Sequence, residues 1–212
     1  MASLSPAEAL FKNPVEHVYA ASPGGPLPAE SRPEIAFVGR SNVGKSSLIN
    51  LLLGRTATKV ARVSNTPGAT RAIHFYAVGE PFFLVDLPGY GYAKMSRTLS
   101  AEISAYVTDY LTNRRSLKMV CVLVDARHGF KDSDRAMIDV LAQAGVSVLV
   151  TLTKGDKVPL RKQPALLRWI NDELAGMIGP TGQAVLTSTV KGDGLPALRK
   201  LIYDNLNEGV HR

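Results

Sequence analysis

The chain of 212 residues is 45% hydrophobic and 20% charged, which is typical of one globular domain of about 150 to 200 residues with extensions. Its one cysteine, Cys121, excludes an internal disulfide, no apolar run reaches the roughly 18 residues of a membrane span, and residues 1–10 lack the basic start and apolar middle of a signal peptide. We therefore expect a cytoplasmic protein without a membrane contact, and the net charge of +7 indicates an anionic partner.

The sequence divides into an N-terminal arm (1–33), one domain (34–208) and a tail (209–212). Residues 21–28 are too rich in Pro, Gly and Ser for a helix or strand, so we expect an extended arm over the domain, with a short helix at 5–11. The predicted strands are an apolar run from residue 35 and residues 71–78, 82–86, 118–125, 146–152 and 183–187, and the predicted helices are residues 45–53, 98–113, 132–144, 159–178 and 196–206.

This alternation of strands and helices predicts a three-layer α/β fold. Right-handed crossovers between the strands give a mainly parallel six-stranded sheet with helices on both faces. The hairpin of residues 71–86 makes one strand antiparallel. Ligands of such sheets bind at the carboxyl ends of the strands, so the loops that follow the strands are where we expect the chemistry.

The loop after the first strand of the domain is bounded by glycines and carries Lys and Ser: Gly39-Arg40-Ser41-Asn42-Val43-Gly44-Lys45-Ser46-Ser47. It matches the phosphate-binding pattern G-x-x-x-x-G-K-[ST] between a strand and a helix, as the motif requires. The two glycines let backbone N–H groups converge on α- and β-phosphates, Lys45 reaches the β- and γ-phosphates, and the Ser46 hydroxyl is expected on Mg²⁺. The alternative is a glycine-rich turn with an incidental Lys, which the flanking elements disfavour.

Two further loops carry candidate Mg²⁺ ligands. Asp86-Leu87-Pro88-Gly89 ends the strand at 82–86, where Asp86 can hold Mg²⁺ through water and the N–H group of Gly89 can meet a γ-phosphate. Residues 54–70 are polar, basic and without periodicity, and they end in Thr-Pro-Gly-Ala-Thr. The hydroxyl of Thr70 is the candidate that completes the Mg²⁺ shell, although a simple Pro-Gly turn fits the same residues. The expected metal ligands are therefore Ser46, Thr70 and Asp86.

The last two loops select the base. In Thr153-Lys154-Gly155-Asp156, the carboxylate of Asp156 can accept two hydrogen bonds from guanine, whereas adenine would leave it unpaired. The stem of Lys154 can pack over the base, and Thr187-Ser188-Thr189 can present backbone N–H groups to guanine O6. These loops predict binding of GTP and GDP and disfavour an ATP-dependent kinase.

In this order, the segments GRSNVGKS, TPGAT, DLPG, TKGD and TST resemble the five loops of a translation-factor-class small GTPase with a Ras-like G domain. The segments DLPGYGYA (86–93) and DARH (125–128), with the loop at Ser188, resemble more closely the EngB family of bacterial ribosome-biogenesis GTPases, over about residues 5–208. The resemblance implies a monomeric GTPase that acts late in assembly of the large ribosomal subunit, on its rRNA and proteins, and that is needed for normal cell division and septation. Gly155 stands where that family usually has Ala.

Hydrolysis is expected to be slow, because Tyr90 stands where Ras-like proteins have the glutamine that orients the attacking water. The residues expected to act in hydrolysis are Lys45, Thr70 and Asn42. Asn42 occupies the position at which similar potassium-activated GTPases have an Asn ligand, so K⁺ is one hypothesis for activation. A tight turn that favours Asn is the alternative.

The second hypothesis is activation by the ribosome. No Asp or Glu occurs between Glu34 and Glu80, an interval with six Lys and Arg residues, and Tyr90, Tyr92 and Lys94 follow shortly after it. The two tyrosines could stack on RNA bases, or they could pack in the core. The protein is then either an enzyme whose GTP turnover times a switch, or an RNA- or ribosome-binding module in which GTP only gates affinity.

Overall fold

The computed structural model describes residues 4–54, 72–90, 97–180 and 182–208, without the side chains of 97–100. Within these residues the chain forms seven strands, six α-helices and two 3-10 helices. In chain order they are α1 (Pro6–Leu10), β1 (Val15–Ala21), β2 (Glu34–Gly39), α2 (Lys45–Leu52), β3 (Ile73–Val78), β4 (Phe82–Asp86), α3 (Arg97–Asn113), β5 (Leu117–Asp125), α4 (Asp132–Gln143), β6 (Ser147–Thr153), the 3-10 helices Gly155–Lys157 and Leu160–Lys162, α5 (Gln163–Ile178), β7 (Gln183–Leu186) and α6 (Leu195–Asn207).

The strands form one mixed sheet in the order β1-β3-β4-β2-β5-β6-β7. Strand β3 runs antiparallel to both of its neighbours, β1 and β4, and the other pairs are parallel. The predicted α/β class, with one antiparallel strand, is confirmed. The predicted count of six strands is wrong, because β1 adds a seventh at the edge.

Strand β1 comes from the segment that the sequence predicts to be part of an extended arm. It pairs with β3 from Val15 opposite Val78 to Ala21 opposite Ile73, with a register shift between His17 and Tyr19. As an edge strand it is largely exposed, and residues 16–18 all face solvent. The sequence therefore lacks the alternation of apolar and polar residues that reveals a half-buried strand.

The core lies on both faces of the sheet. Strand β2 is buried along its whole length, as its apolar sequence predicts for a central parallel strand. Its alternate residues Ala36 and Val38 pack in the cluster that includes side chains of α3, α4 and α5. Ile35 and Phe37 pack in a second cluster with side chains of α2 and α6. The helices thus cover both faces, in the predicted three layers.

The strand that leads into the glycine-bounded loop is anchored at its start by a buried carboxylate. Glu34 accepts hydrogen bonds from Tyr110 (2.7 Å), Ser116 (2.9 Å) and the guanidinium of Arg114 (2.6 Å). A buried carboxylate is tolerated only with partners of this kind. These contacts fix β2 against the end of α3.

Helix α5 begins later than predicted, at Gln163 rather than at residue 159. The intervening residues form two 3-10 turns, Gly155–Lys157 and Leu160–Lys162. The helix starts directly before Pro164, whose fixed φ and missing N–H group suit the first turn. No helix in the part of the chain that the structure describes is long and apolar enough to cross a membrane.

Candidate nucleotide-binding site

The glycine-bounded loop runs from the end of β2 to the start of α2, and its two glycines are required for different reasons. Gly44 precedes α2 with φ +105, in the left-handed region that favours glycine, and no atom lies within 4 Å of where a Cβ would be. At Gly39 a Cβ would lie 2.9 Å from both Cβ and the carbonyl oxygen of Leu123 on β5. Conformation therefore requires Gly44, and close packing against the neighbouring strand requires Gly39.

Asn42 lies at the exposed tip of the loop, with φ +63. Asn is one of the few non-glycine residues that adopt this conformation readily. Its carbonyl oxygen accepts a hydrogen bond from Nζ of Lys154 at 2.9 Å. The turn thus gives a local reason for Asn at this position, and its role as a K⁺ ligand stays a prediction.

The loop after β6 is hydrogen-bonded directly to the glycine-bounded loop of residues 39–47, which we call the phosphate loop. The hydroxyl of Thr153 donates to the carbonyl oxygen of Val43 at 2.7 Å, and Lys154 donates to Asn42 one residue earlier. Lys154 itself has φ +59, which turns the chain at the end of the strand. The loops predicted to bind phosphates and base are thereby held in a fixed relation to each other.

Asp125, at the end of β5, holds Lys154 in place and was not among the predicted site residues. It lies opposite Thr153 in the register of β5 and β6, and its carboxylate accepts from Lys154 (2.9 Å) and Arg127 (2.7 Å). Burial would raise the pKa of Asp125, but the hydrogen bonds from Arg127 and Lys154 outweigh it and hold the pKa well below its usual range. The signal in the sequence is the place of Asp125 at the carboxyl end of the predicted strand 118–125, where the segment DARH begins.

The two loops predicted to bind the base form one unit. The Ser188 hydroxyl donates to Asp156 at 2.9 Å, and this bond holds the pKa of Asp156 below its usual value. The N–H group of Gly155 donates to the Thr187 carbonyl oxygen at 2.9 Å. A Cβ at Gly155 would lie 3.0 Å from Cγ of Leu186, so glycine allows this close approach. Asp156 is consequently ionised and oriented, as an acceptor for guanine must be.

The corner predicted to hold Mg²⁺ contains a buried ion pair between Lys45 and Asp86. The hydroxyl of Ser46 forms no hydrogen bond with any residue that the structure describes, and Oγ of Ser41 is buried without a partner. A hydroxyl and a carboxylate oxygen are ligands that Mg²⁺ prefers, so these residues fit the ion. Thr70 lies outside the described residues.

The side chain of Tyr90 is partly buried and packs against the core. Its hydroxyl donates to Asp134 at 2.8 Å, and Asp134, near the start of α4, is only 1% exposed. Burial, together with the Asp134 carboxylate, raises the pKa of Tyr90 well above its ordinary value. The Tyr90 backbone exchanges hydrogen bonds with the phosphate loop, at Gly39 (3.2 Å) and Ser41 (3.3 Å). Of the two alternatives, core packing therefore applies to Tyr90, while Tyr92 and Lys94 lie outside the described residues.

The other predicted site residues lie around the same edge of the sheet. Arg40 is exposed and bridges to Tyr90, Ser47 is half-buried in the first turn of α2, Gly89 is buried after β4, and Thr189 is half-buried after β7. The structure thus brings the loops after β2, β4, β6 and β7 together. They meet where ligands of a doubly wound sheet bind.

A family model described as "50S ribosome-binding GTPase" matches residues 34–154. A probable GTP-binding protein EngB of Roseobacter denitrificans is 42% identical over 202 residues, which is 95% of this chain and 93% of that protein. The chain belongs to the EngB family of GTP-binding proteins. Membership in this GTPase family confirms the predicted guanine nucleotide binding.

Solved structures show the same fold for this EngB-family chain. A crystal structure of a probable GTP-binding protein engB superposes with a TM-score of 0.65 at 23% identity, over 82% of this chain and 99% of that one, which supports the fold alone. A crystal structure of Era in complex with MgGDPNP and nucleotides 1506–1542 of 16S ribosomal RNA superposes with a TM-score of 0.66 at 27% identity, over 84% of this chain and 58% of that one.

Proposed function

We propose that this EngB-family chain is a Mg²⁺-dependent GTP switch with slow intrinsic hydrolysis. It acts as a cytoplasmic monomer on the large ribosomal subunit during assembly, and cell division and septation depend on it. The observation that carries the switch is the coupling of the two halves of the site. Thr153 and Lys154 bond to the phosphate loop, while Ser188 orients the ionised Asp156.

Nucleotide binding would break the ion pair between Lys45 and Asp86, and both side chains would then contact the nucleotide and its metal ion. Lys45 would turn to the β- and γ-phosphates, and Asp86 would hold Mg²⁺ through water, with Ser46 and Thr70 as the other protein ligands. The ion would neutralise charge on the phosphate oxygens. Because Lys45 and Asp86 otherwise pair with each other, both charges have a partner with and without nucleotide.

Guanine selection is tested by exchanging Asp156 for Asn and measuring GTP, ATP and XTP binding. Hydrogen bonds to a charged group contribute about 1.5 to 3 kcal/mol each, so losing two reduces GTP affinity by roughly 10² to 10⁴. The Asn side chain can donate to the second carbonyl of xanthine, so Asp156→Asn should prefer XTP. Asp139→Asn, an exposed acid on α4, is the matched control and should keep GTP selectivity. An Asp156→Asn protein that still prefers GTP would contradict the assignment.

Activation by K⁺ is tested at Asn42. Asn42→Gly removes the side chain and keeps access to the left-handed conformation, so it separates ligation from turn geometry. We expect faster turnover in KCl than in NaCl for the unchanged chain and equal turnover for Asn42→Gly. Equal turnover in both salts for the unchanged chain would remove K⁺ from the proposal.

The ribosomal partner is supported by the net charge of +7 and by the description of the matching family model as ribosome-binding. Era, a structural neighbour, has been crystallised with ribosomal RNA. The engaged hydroxyl of Tyr90 favours the second candidate, a ribosome-binding module in which GTP only gates affinity. Sedimentation with large subunits, in GDP and in a non-hydrolysable GTP analogue, tests both. Pelleting only with the triphosphate supports nucleotide-dependent binding to the ribosome, which both candidates require, and no pelleting in either state would refute the ribosomal role.

A further inference from the structure

Two exposed segments of the chain carry positive charge without any acidic residue. One is the loop after β5, residues 127–131, and the other runs from the 3-10 turns into α5, residues 157–171. Their cations, all exposed, are Arg127, Lys131, Lys157, Arg161, Lys162 and Arg168. They are six of the 25 Lys and Arg residues of the chain. Among the residues that the structure describes, Arg161, Lys162 and Arg168 form no ion pair, so their charges are available to a partner.

The two segments lie side by side. Strands β5 and β6 are parallel neighbours that end in register, Asp125 opposite Thr153, so the loops that follow them leave the same edge of the sheet. Helices α4 and α5 are joined by an ion pair between Arg135 and Glu173 at 2.7 Å. Gly129 faces the indole of Trp169, where a Cβ would lie 2.5 Å from the ring. We call the six cations, with Trp169, the basic surface.

Trp169 is the aromatic residue of the basic surface. It is the one tryptophan of the chain, and it is 47% exposed although most tryptophans are largely buried. One part of its ring covers Gly129, and Arg168 precedes it in the chain. An exposed aromatic ring among unpaired cations is the combination that binds single-stranded RNA, because bases stack on the ring while the cations meet the phosphates.

A lipid surface fits these observations less well. An interfacial helix presents an apolar face to the membrane, but the apolar residues Ile170 and Leu174 of α5 are fully buried in the core. The large apolar side chains that remain exposed in this region are Leu160 and Trp169. The chemistry of the surface therefore favours RNA over an anionic membrane.

We propose that the basic surface binds single-stranded segments of RNA, with Arg161, Lys162 and Arg168 on phosphates and a base stacked on Trp169. The assignment rests on the proposed ribosomal partner and adds to it a contact site on the guanine side of the nucleotide pocket. Lys157 directly follows Asp156, so the bound RNA would run beside the loop that selects guanine.

The test is titration of GDP-loaded protein with a fluorescein-labelled 20-nucleotide oligouridylate, U20, at several salt concentrations. Binding is followed by anisotropy, and Trp169 fluorescence is followed with unlabelled U20. Because the chain has one tryptophan, all tryptophan fluorescence comes from this surface. The site variant replaces Arg161, Lys162 and Arg168 by Gln. The matched control replaces Lys12, Arg115 and Lys118, which are also exposed, by Gln.

We expect U20 to quench Trp169 and the site variant to lose at least about tenfold in affinity at low salt. Its slope of log K against log salt should fall by about 2, or roughly 0.7 for each of three phosphate contacts. The control variant should lose much less. Trp169→Leu should lose about tenfold at every salt concentration, as removal of one stacked base predicts. Thermal unfolding of each variant shows whether the fold is kept.

Equal losses in the site and control variants would overturn the assignment, because they would mean a general charge effect. Unquenched Trp169 fluorescence during U20 binding would overturn it as well, and so would binding to phosphatidylserine vesicles without binding to U20. Sedimentation separates this inference from the proposed function. If the unchanged chain pellets with large subunits and the site variant pellets equally well, the surface is wrong and the ribosomal role stands.

Discussion

The hydroxyl of Thr153 connects the loop after β6, which is predicted to bind guanine, with the phosphate loop. Its replacement tests whether this hydrogen bond fixes the two loops relative to each other. It donates to the carbonyl oxygen of Val43 at 2.7 Å, and Thr153 is almost completely buried. Val has nearly the shape of Thr without the hydroxyl. Thr153→Val therefore removes the donor from a buried acceptor, which lowers the free energy of unfolding by about 1 to 3 kcal/mol. For a domain of this size the Tm falls by roughly 2 to 12 °C.

Nucleotide binding should weaken in the same variant. Without the bond to Val43, the two loops are no longer held in the relation that a nucleotide needs. A loss of 1 to 2 kcal/mol in this organisation weakens GDP binding by about five- to thirtyfold. Urea unfolding gives the first quantity, and stopped-flow release of a fluorescent GDP analogue gives the second.

Thr153→Ser is the matched control, because it keeps the hydroxyl and removes only a methyl group. It should retain most of the GDP affinity. If Thr153→Val binds GDP as tightly as the unchanged chain, or if Thr153→Ser is equally impaired, the two loops are not held together by this hydrogen bond.

Three further substitutions test other contacts. Tyr90→Phe removes the donor to the buried Asp134 carboxylate and should destabilise by about 1 to 3 kcal/mol in urea unfolding at pH 7. Since the pKa of Tyr90 is raised on folding, its contribution to the free energy of unfolding is complete below about pH 10 and is lost as the pH rises further. Above about pH 10 the stability of Tyr90→Phe should therefore fall less steeply than that of the unchanged chain. Parallel pH profiles of the two proteins would contradict this. The pKa of Asp125 is lowered on folding, so its contribution to the free energy of unfolding is present above about pH 4 and is lost as the pH falls. Asp125→Asn should therefore make stability depend less on pH in the acid range. An unchanged dependence would contradict a stabilising role of the ion pairs. Gly39→Ala places a Cβ 2.9 Å from Leu123 and should lower the free energy of unfolding by about 1 to 3 kcal/mol. An unchanged free energy of unfolding would mean that β5 can move aside at little cost.

The phosphate loop could be predicted from the sequence because its chemistry is local. The conformation of Gly44 and the start of α2 at Lys45 depend on residues within a few positions of each other. The central strand β2 was equally clear, since a strand buried on both faces has a continuous apolar sequence. Strand β1 cannot be predicted in the same way, because its outer residues face solvent and its pairing with β3 is not visible in its own pattern.

The partners that complete the site are distant from each other in the sequence, and motif patterns do not indicate them. Asp134 lies 44 positions from Tyr90, and nothing near either residue indicates that they meet. Asp125 lies 29 positions from Lys154, and only the register of two parallel strands brings them together. Gly39 must lack a side chain because it packs closely against Leu123, and the motif itself does not show this contact. Packing between neighbouring strands therefore added what pattern and spacing could not.

The carboxylate of Asp125 connects the nucleotide site with the basic surface. Its Oδ2 atom accepts from Nζ of Lys154 at 2.9 Å and from Arg127 at 2.7 Å. Lys154 also donates to the carbonyl oxygen of Asn42, so three hydrogen bonds, Asn42–Lys154, Lys154–Asp125 and Asp125–Arg127, connect the phosphate loop with Arg127. Coupling of binding free energies is reciprocal, so any effect of GDP on U20 affinity must equal the effect of U20 on GDP affinity. Equal U20 affinity with and without GDP would mean that the Asp125 contact transmits nothing, and the basic surface would then act as a constant anchor while nucleotide dependence comes from elsewhere in the chain.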